Sequence, residues 1–498
     1  MSISQSVQAA CKAWEQSTRP FFTVLDASVQ EGLGLAHLLQ AVVDRRKCAT
    51  HVQRKRPRLR LLAVLDAKRD CPLGVSWPQC PGLTERWPLP VDGLHHVWLE
   101  DAGMELVLFF GPRKAGLQAF QSVCVDAVVH EGHPDQYRKR EAMHVGQSQQ
   151  PARKVAVVGA GIAGSAVARA LCELNIEVTL YDAEAGPAQG ASGNWVGAFH
   201  PHITRGDSPL SKLSRLGHEH TVQALMNLTR AGFLVQGRDW DTPGHLQTVA
   251  PEESTRVQDT LTALNFPKEL VQWSAPNARL PTPHGGLFFP SGGWVKPARW
   301  VQANLQACGD RLRTCFEHPV GDLEPLIQTH DAVVVCAAQH SLALAPVEGA
   351  KVGEVKGQIS KVRRVAPLDC VLSGESYAIA PPMEDWMVLG ATYERPATDL
   401  TPTAQADAEN LARFNSTFPQ WPVGELLDHR CAVRFVWHDR LPAIGPVAGV
   451  NKVYLSTGFA SRGLLWAALG AWVVAAHCAG QPMDLRLTQR IKPRGAPG

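Results

Sequence analysis

Apolar segments that run into glycines and then into helical periodicity occur twice along the chain. Residues 153–184, RKVAVVGAGIAGSAVARALCELNIEVTLYDAE, predict a buried strand, a tight turn, an amphipathic helix and a second strand, which together form a βαβ unit with a parallel sheet. Residues 22–42 carry a similar pattern nearer the N-terminus. The polar stretch between the two patterns contains the predicted linker, residues 146–153.

The same patterns predict an α/β fold with two domains. Residues 1–145 form a short first domain, and residues 154–498 form a larger second one, in which DAVVVCAA (331–338) adds another buried strand to the parallel sheet. Two segments of the second domain are richer in Pro, Gly and alternating apolar residues. These segments, about 197–322 and 353–434, are predicted to combine into an inserted substrate subdomain with a mixed sheet.

Composition narrows the class of protein. The chain has 498 residues, 45% hydrophobic and 19% charged, without an apolar run long enough to span a bilayer or an export signal at its start, which predicts a cytoplasmic protein without a membrane partner. Its 12 cysteines are scattered and include no CxxC pair, a distribution typical of reduced, buried thiols. The net charge of +3 permits a nucleic-acid partner but does not require one.

The glycine motif GAGIAG, directly after the strand KVAVV, predicts a dinucleotide site. Gly159 allows the tight turn, Gly161 lets backbone N–H groups approach a pyrophosphate, and Gly164 lets helix and strand pack closely. Asp182, at the end of the next strand, is expected to accept the ribose hydroxyls. A ligand-free glycine turn is the alternative interpretation.

The loop after Asp182 distinguishes FAD from NAD. It resembles the segment that wraps the FAD pyrophosphate and flavin in the glycine oxidase and D-amino acid oxidase superfamily, through Gly190, Ser192, Gly193 and Asn194. A flexible loop without a ligand is the alternative interpretation. The predicted fold of the second domain is therefore the FAD-binding Rossmann-like fold of the glycine oxidase type, with FAD as the cofactor.

A closer resemblance extends over residues 154–498. LYDAEAGPAQGASGN (180–194) followed by GAFHPHI, and HDRLPAIGPV (438–447) followed by SRGL, resemble the C-terminal oxidoreductase half of the MnmC family of bifunctional tRNA 5-methylaminomethyl-2-thiouridine biosynthesis proteins. The resemblance implies oxidative removal of the carboxymethyl group from 5-carboxymethylaminomethyl-2-thiouridine at the tRNA wobble position, which leaves 5-aminomethyl-2-thiouridine. FAD accepts a hydride in this reaction, and glyoxylate is the second product.

Such a substrate needs a cation that holds its carboxylate, and arginine's planar fork suits that task. Arg434, in CAVRFV, lies where related amine oxidases carry an arginine on a strand facing the flavin, and an ordinary arginine on the sheet surface is the alternative interpretation. Tyr393 and Tyr377 are candidates for orienting the substrate, with core packing as the alternative interpretation of each.

The resemblance also implies that a helix N-terminus closes over the flavin near the chain end, where it favours negative charge. The residues concerned are Gly458, Ser461, Arg462, Gly463 and Leu464, for which a simple helix cap is the alternative interpretation. His200 and His202 have the spacing of possible metal ligands, but with no carboxylate or cysteine nearby they are expected to line the flavin loop, so no metal is predicted.

A tRNA would bind through basic surface, with its wobble base splayed into the flavin cleft. The candidate basic runs are residues 54–60 and 138–140 and the tail residues Arg486, Arg490, Lys492 and Arg494, each of which is alternatively a solvated face.

The first domain corresponds to the methyltransferase half of the MnmC family, but its sequence is eroded. Ser28 and Gln30 replace family glycines, and Glu31 adds an anion where the turn should approach S-adenosylmethionine. Asp66 is the candidate acidic residue after the second strand, whereas the later strand ends in EGHPD, 131–135, and several elements are missing. We therefore predict a shortened, inactive Rossmann-like relic, with binding of S-adenosylmethionine and methylation as the alternative.

Two other functions remain open. One is an FAD-dependent oxidase of a free amino acid such as glycine or sarcosine, which would share the flavin site and Arg434. The other is a non-catalytic tRNA-binding protein.

Overall fold

The structure is a computed structural model. It describes residues 3–17, 21–26, 35, 37–40, 58–65, 83–99, 103–123, 125–129, 150–275, 285–397, 399–481, 483 and 485–496. The chain divides into two compact units, of which the first comprises Met1–Ala152 with Ala475–Arg490 and the second comprises Arg153–Val474 with Ile491–Gly498. No helix of the described residues is both long and apolar enough to cross a membrane.

The first unit is built on a largely parallel sheet. Its described elements are α1 (Ile3–Gln16), β1 (Phe21–Asp26), β2 (Arg58–Leu65), α2 (Leu83–Arg86), β3 (Gly93–Leu99), β4 (Met104–Phe110), α3 (Arg113–Phe120) and β5 (Ala127–Val129). Within these residues the strand order is β3-β4-β2-β1-β5, and only the β3–β4 pair is antiparallel. The predicted turn positions Ser28, Gln30 and Glu31, the candidate Asp66 and residues 131–135 lie outside the described residues.

The segment Ala475–Arg490 packs in the first unit, although the predicted oxidoreductase domain includes it. Gln481 attaches this segment to the first unit. Its side chain accepts a 3.5 Å hydrogen bond from Thr23 and donates a 3.3 Å one to Asp126. Its backbone carbonyl accepts a bond from Arg60. These buried bonds fix the segment against β1 and β2.

The second unit contains the remaining strands and helices. Its described strands are β6 (Lys154–Val158), β7 (Glu177–Tyr181), β8 (Gly197–Phe199), β9 (Trp240–Asp241), β10 (His245–Thr248), β11 (Gln272–Ser274), β12 (Gly286–Phe289), β13 (Gly293–Val295), β14 (Leu312–Cys315), β15 (Ala332–Val335), β16 (Val352–Arg364), β17 (Val371–Ser373), β18 (Tyr377–Ile379), β19 (Trp386–Gly390), β20 (Val423–Trp437), β21 (Ala443–Pro446) and β22 (Val453–Thr457). Its helices are α4 (Ile162–Glu173), α5 (Pro209–Arg230), α6 (Ser254–Leu264), α7 (Pro297–Ala307), α8 (Glu324–Thr329), α9 (Ser341–Leu344), α10 (Ala404–Thr417) and α11 (Gly463–Cys478, which belongs to this unit as far as Val474).

A parallel sheet forms the nucleotide-binding half that the βαβ pattern predicts. Its strand order over the described residues is β14-β7-β6-β15-β22-β21, antiparallel only at β21–β22. The strand β15 is entirely buried, as its unbroken apolar sequence predicts. Residues 312–315, which fall within the first predicted piece of the substrate subdomain, pair with β7 and so belong to this sheet.

A larger mixed sheet forms the other half of the second unit. Its order in the described part of the chain is β11-β12-β10-β17-β18-β19-β16-β20, with β10–β17 as the parallel pair. The long strands β16 and β20 pair over most of their length, from Val352 opposite Trp437 to Arg364 opposite Val423. The strands β8, β13 and β9 form a small antiparallel sheet. The mixed sheet supplies one wall of the site described next.

Candidate cofactor and substrate site

The turn between β6 and α4 has the geometry that its glycines predict. Gly159 has φ +107°, a backbone region that glycine favours, and a Cβ there would lie 2.6 Å from the Cys336 carbonyl oxygen. A Cβ at Gly164 would lie 1.8 Å from the Gly159 carbonyl oxygen, so helix and strand pack as closely as expected. The backbone of the turn therefore requires glycine at both positions.

The N-terminus of α4 lies behind this turn. Gly161 is the N-cap residue, and the backbone N–H of Ile162 donates a 2.9 Å hydrogen bond to Ser192 Oγ. A Cβ at Gly161 would approach that same oxygen to 3.1 Å. The first-turn N–H groups and the helix dipole favour an anion at this place.

Asp182 follows β7 and its carboxylate reaches back to the glycine turn. Its Oδ2 accepts a 2.6 Å hydrogen bond from the Ala160 N–H, and its Oδ1 accepts one from the Glu184 N–H. The carboxylate is thereby held beside the turn. Its expected role in binding ribose hydroxyls stays a prediction.

An arginine that the sequence analysis did not single out holds the predicted flavin loop. Arg430, on β20, donates hydrogen bonds of 2.7 and 2.8 Å to the carbonyls of Gln189 and Gly190. Gly193 lets the guanidinium come close, since a Cβ there would lie 2.5 Å from Arg430 Nη2. The signal in the sequence was the alternation Arg430, Ala432, Arg434, which puts all three side chains on one face of a strand.

A cavity of about 360 Å³ joins this loop to the mixed sheet. From the predicted cofactor residues it is lined by Ser192, Asn194, Ser461, Gly463 and Leu464. From the predicted substrate residues it is lined by His200, Tyr377, Tyr393 and Arg434. The remaining predicted residues, Gly159, Gly161, Gly164, Asp182, Gly190, Gly193, Gly458 and Arg462, are not part of its lining, and they flank or support those that are.

One face of the mixed sheet carries the substrate-side residues. Directly opposed residues in a β-ladder project from the same face. Ile359 lies opposite Gly390, and Gly390 lies opposite Tyr377. Arg434 lies opposite Val355, which precedes Ile359 by two alternations of the strand. Arg434 and Tyr377 therefore project into the cavity from the same face.

The Arg434 guanidinium is positioned by its neighbours. Its Nη1 donates a 3.2 Å hydrogen bond to the Thr392 carbonyl, and its Cζ lies 4.5 Å from the centre of the Tyr393 ring. On the neighbouring strand β16, a Cβ at Gly357 would lie only 2.0 Å from Nη1. The arginine therefore rests on a glycine that the sequence did not single out.

The two tyrosines differ in their surroundings. Burial raises the pKa of Tyr377 to about 12, and the nearby Arg434 partly opposes that rise. Tyr377 is therefore a neutral hydroxyl at physiological pH. Tyr393 is 66% exposed and presents its ring to Arg434. The alternative interpretation, that the tyrosine only packs in the core, therefore fits Tyr393 less well than Tyr377.

The segment before α11 turns sharply into the helix. Gly458 has φ +73°, and α11 begins at Gly463. Burial, and after it the charge of Arg440, lowers the pKa of Arg462. A Cβ at Gly197 would lie 2.9 Å from Leu464 Cδ1, so the helix start packs closely on β8. Ser461, Gly463 and Leu464 thus face the cavity from a fixed helix N-terminus.

His200 and His202 are neutral rather than cationic. Burial lowers the pKa of each to about 4; for His202 the Arg462 charge adds to the effect. The ring of His200 lies 4.0 Å from that of His245, another cavity residue, which no sequence motif indicates. Within the described residues, no group of three His, Cys, Asp or Glu side chains is arranged to hold a metal ion.

Several of the predicted basic residues are not available surface charges. Arg60 is buried in β2 and pairs with Glu105 at 3.0 Å, because its position in a strand turns it into the core. Arg494 is engaged by Asp439 at 2.6 and 2.9 Å. Arg486 and Arg490 are exposed, whereas residues 54–57 and 138–140 lie outside the described residues.

Comparison with known proteins identifies the class of protein. The family model described as DAO, FAD dependent oxidoreductase, matches residues 154–477, and the chain belongs to this family. Membership implies FAD as the cofactor and confirms the prediction of an FAD-dependent oxidoreductase.

Relatives and solved structures refine the comparison. The chain is 34% identical over 380 residues to the "tRNA 5-methylaminomethyl-2-thiouridine biosynthesis bifunctional protein MnmC" of Burkholderia cenocepacia, covering 67% of this chain and 58% of that protein. It is 32% identical over 368 residues to the protein of that name from Thiobacillus denitrificans, covering 67% and 57%. The predicted resemblance to MnmC proteins is confirmed, and the chain spans less than three fifths of their length.

The fold is shared with structures of much lower identity. Glycine oxidase from Geobacillus kaustophilus matches with a TM-score of 0.61 at 20% identity, covering 70% of this chain and all of that one. L-Proline dehydrogenase from P. horikoshii matches with 0.58 at 15% identity, covering 69% and 98%. The predicted fold class, a glycine oxidase type of FAD domain preceded by a shorter N-terminal part, is confirmed.

Proposed function

We propose that this protein oxidatively removes the carboxymethyl group of 5-carboxymethylaminomethyl-2-thiouridine at the wobble position of tRNA and gives 5-aminomethyl-2-thiouridine. The observation that carries the proposal is Arg434, a cation on the sheet face that lines the same cavity as the glycine-rich FAD loop. The similarity to MnmC proteins supports the tRNA substrate.

The residues present fit FAD. The strained turn at Gly159 and the absence of a side chain at Gly161 leave room at the N-terminus of α4, where a Cβ would crowd Ser192 Oγ. The residues that would hold FAD are Gly159, Gly161, Gly164, Asp182, Gly190, Ser192, Gly193, Asn194, Gly458, Ser461, Arg462, Gly463 and Leu464. When bound, FAD supplies the oxidation by accepting a hydride from the CH₂ between amine and carboxylate, after which water cleaves the C=N bond and releases glyoxylate.

The protein's own residues position the substrate. Arg434 binds the carboxylate through a charge-assisted, bidentate contact, and its bond to the Thr392 carbonyl limits how far the guanidinium can swing. Tyr377 stays protonated and therefore donates its hydroxyl hydrogen without adding a negative charge near the carboxylate. The N-terminus of α11, beginning at Gly463, favours negative charge on the cofactor side of the cavity.

A tRNA partner implies a cytoplasmic location and a basic contact surface, for which Arg486 and Arg490 are the exposed candidates. Binding of S-adenosylmethionine by the first unit, and with it methylation of the product, is the alternative to an inactive relic. Ser28 and Gln30, which replace two family glycines in the expected cofactor turn, argue against it.

The test is an anaerobic mixing experiment with purified protein and tRNA that carries 5-carboxymethylaminomethyl-2-thiouridine. We expect loss of the visible flavin absorbance and conversion of the nucleoside to the 5-aminomethyl form. Arg434→Gln should abolish both changes, whereas Arg363→Gln, a surface arginine of the same sheet paired with Asp385 and Glu425, should leave them intact.

Other outcomes would point to other functions. A flavin that ignores this tRNA and is reduced by glycine or sarcosine would replace the proposal with a free amino acid oxidase. A protein that binds tRNA but whose flavin is reduced by neither the tRNA nor a free amino acid would be a non-catalytic tRNA-binding protein. Adding S-adenosylmethionine after the first reaction, with nucleoside analysis, tests the methylation.

A further inference from the structure

The cavity has a second polar group, at the end away from Arg434. It consists of His200, His245 and Ser373, here called the histidine–serine cluster, and all three residues line the cavity. His245 Nε2 lies 2.6 Å from Ser373 Oγ, and the rings of His200 and His245 are 4.0 Å apart. The three side chains are therefore one connected unit.

The cluster shares the sheet face of Arg434. Ser373 lies opposite Tyr377, and His245 lies opposite Val371, one alternation before Ser373. The strand order separates β20, which carries Arg434, from β10 by four other strands. At about 4.8 Å per strand, the backbones of β10 and β20 are roughly 24 Å apart across the sheet. The distance between the ends of their side chains is shorter, because both side chains extend into the cavity.

One atom of the cluster lacks a partner. His245 is 1% exposed, and none of the described residues makes a hydrogen bond with its Nδ1. Buried polar atoms are almost always paired, and one left unpaired is destabilising.

The hydrogens of the cluster can be counted. His200 Nδ1 lies 2.8 Å from the Pro201 carbonyl, which only accepts, so Nδ1 carries the hydrogen and Nε2 is an acceptor. His245 and Ser373 together carry two polar hydrogens when the imidazole is neutral, and one of them is used in the bond between them. Whichever tautomer His245 adopts, one donor hydrogen remains for a ligand.

Both imidazoles are uncharged near neutral pH, so the cluster carries no positive charge that would attract an anionic ligand group. Burial lowers the pKa of His200 to about 4 and that of His245 well below its ordinary value, the latter with a contribution from His200. The cluster thus offers one acceptor and one donor to a neutral ligand that presents the opposite pair.

We propose that the histidine–serine cluster binds the N3–H and C4=O edge of the substrate's uracil ring while Arg434 holds the carboxylate. His200 Nε2 accepts from N3–H, and the remaining donor of the His245–Ser373 pair donates to the C4 oxygen. The inference rests on the proposed function and adds to it the way in which the base is recognised. The flavin's own pyrimidine ring has the same kind of edge, and the experiment separates the two sources.

The test uses two anticodon stem-loop RNAs that carry the modified wobble nucleotide, one with N3–H and one methylated at N3. Their dissociation constants come from the concentration dependence of anaerobic flavin reduction. For the wild-type protein we expect N3-methylation to weaken binding about tenfold, the effect of losing one hydrogen bond to a buried acceptor. In His200→Phe the two RNAs should bind alike.

Three further variants protect the test against misfolding. His200→Gln keeps an acceptor and should retain part of the preference, whereas Ser373→Ala should weaken both RNAs equally. His429→Gln alters a histidine whose strand position puts it on the opposite face of the sheet, and it should behave as the wild type. The flavin spectrum and FAD affinity should be unchanged in every variant.

The contrary results are distinct. A wild-type protein that binds both RNAs equally, or a His200→Phe protein that keeps the preference, would overturn the inference while the proposed function stands. Loss of FAD or a shifted flavin spectrum in the cluster variants would assign the cluster to the flavin and overturn it as well. Failure of the wild type to react with either RNA would reject the proposed function itself.

Discussion

Replacing Gly357 with alanine should impair substrate binding without unfolding the protein. A Cβ at this position would lie 2.0 Å from Arg434 Nη1 and 2.4 Å from its Cζ, so the guanidinium must leave its place. Gly357 lies opposite Ala432 in the ladder. A side chain added at Gly357 would therefore project from the same face of the sheet as Arg434, two residues after Ala432 on β20. The added methyl group competes with the carboxylate-binding group itself.

The magnitude follows from the contact that is lost. A hydrogen-bonded contact to a charged group contributes about 1.5–3 kcal/mol, which corresponds to a fall in kcat/KM of about 10- to 150-fold. Most of the fall should appear in KM, since Arg434 holds the carboxylate before and during the reaction. Stability should not fall, because the group that moves is the end of a flexible side chain and alanine is less costly than glycine in a strand.

The assay is steady-state oxidation of the modified tRNA, with FAD content and thermal unfolding measured in parallel. Gly353→Ala is the matched control on the same strand, since none of the described residues lies within 4 Å of a Cβ built there. A Gly357→Ala protein with bound FAD and wild-type kcat/KM would refute the assignment of Arg434 as the carboxylate-binding residue.

Three further predictions concern the cofactor side and pH. Gly159 has φ +107° and no room for a Cβ, so Gly159→Ala should lose FAD and lower the free energy of unfolding, measured in urea, by about 1–3 kcal/mol. Normal FAD content in this variant would contradict the prediction. Arg430→Met removes two bonds to the flavin loop and should weaken FAD binding about tenfold or more, measured by FAD dissociation, whereas unchanged affinity would remove Arg430 from the site. The pKa values of His200 and His202, lowered from 6.5 to about 4, mean that the unfolded chain takes up protons first as pH falls. Stability is therefore full above pH 6.5 and is lost progressively between 6.5 and about 4, and the urea midpoint of His200→Phe should depend less on pH in that window.

Local patterns predicted the parts of the site that local geometry determines. The glycine turn, Asp182 and the helix start at Gly463 each follow from a strand or helix and the residues beside it. Arg434 was identified through the resemblance to related amine oxidases, which carry an arginine on a strand facing the flavin. Burial of an individual charge is different. The basic run at residues 54–60 looked like surface, but Arg60 lies in β2 and points into the core toward Glu105, 45 residues further along the chain.

Residues whose roles depend on distant pairing could not be found in this way. Arg430 meets the carbonyls of Gln189 and Gly190 across more than two hundred residues. Gly357 matters only because the β16–β20 register sets it against Arg434. His245 and Ser373 meet because β10 and β17, far apart in sequence, are neighbours in the sheet. The register of a mixed sheet depends on pairing between strands that are distant in sequence, and local patterns in a single sequence do not predict it.

The width of the mixed sheet bears on which substrate the cavity was built for. An oxidase of a free amino acid needs Arg434, a flavin beside it and apolar closure, and a polar unpaired group several strands away would only destabilise it. Here the far end carries His245, buried and with an unused nitrogen, beside two more hydrogen-bonding side chains. A ligand with a carboxylate at one end and a neutral polar ring at the other satisfies both ends at once. If the proposed function holds, the polar side chains at the far end therefore favour a substrate with a neutral polar ring over a free amino acid.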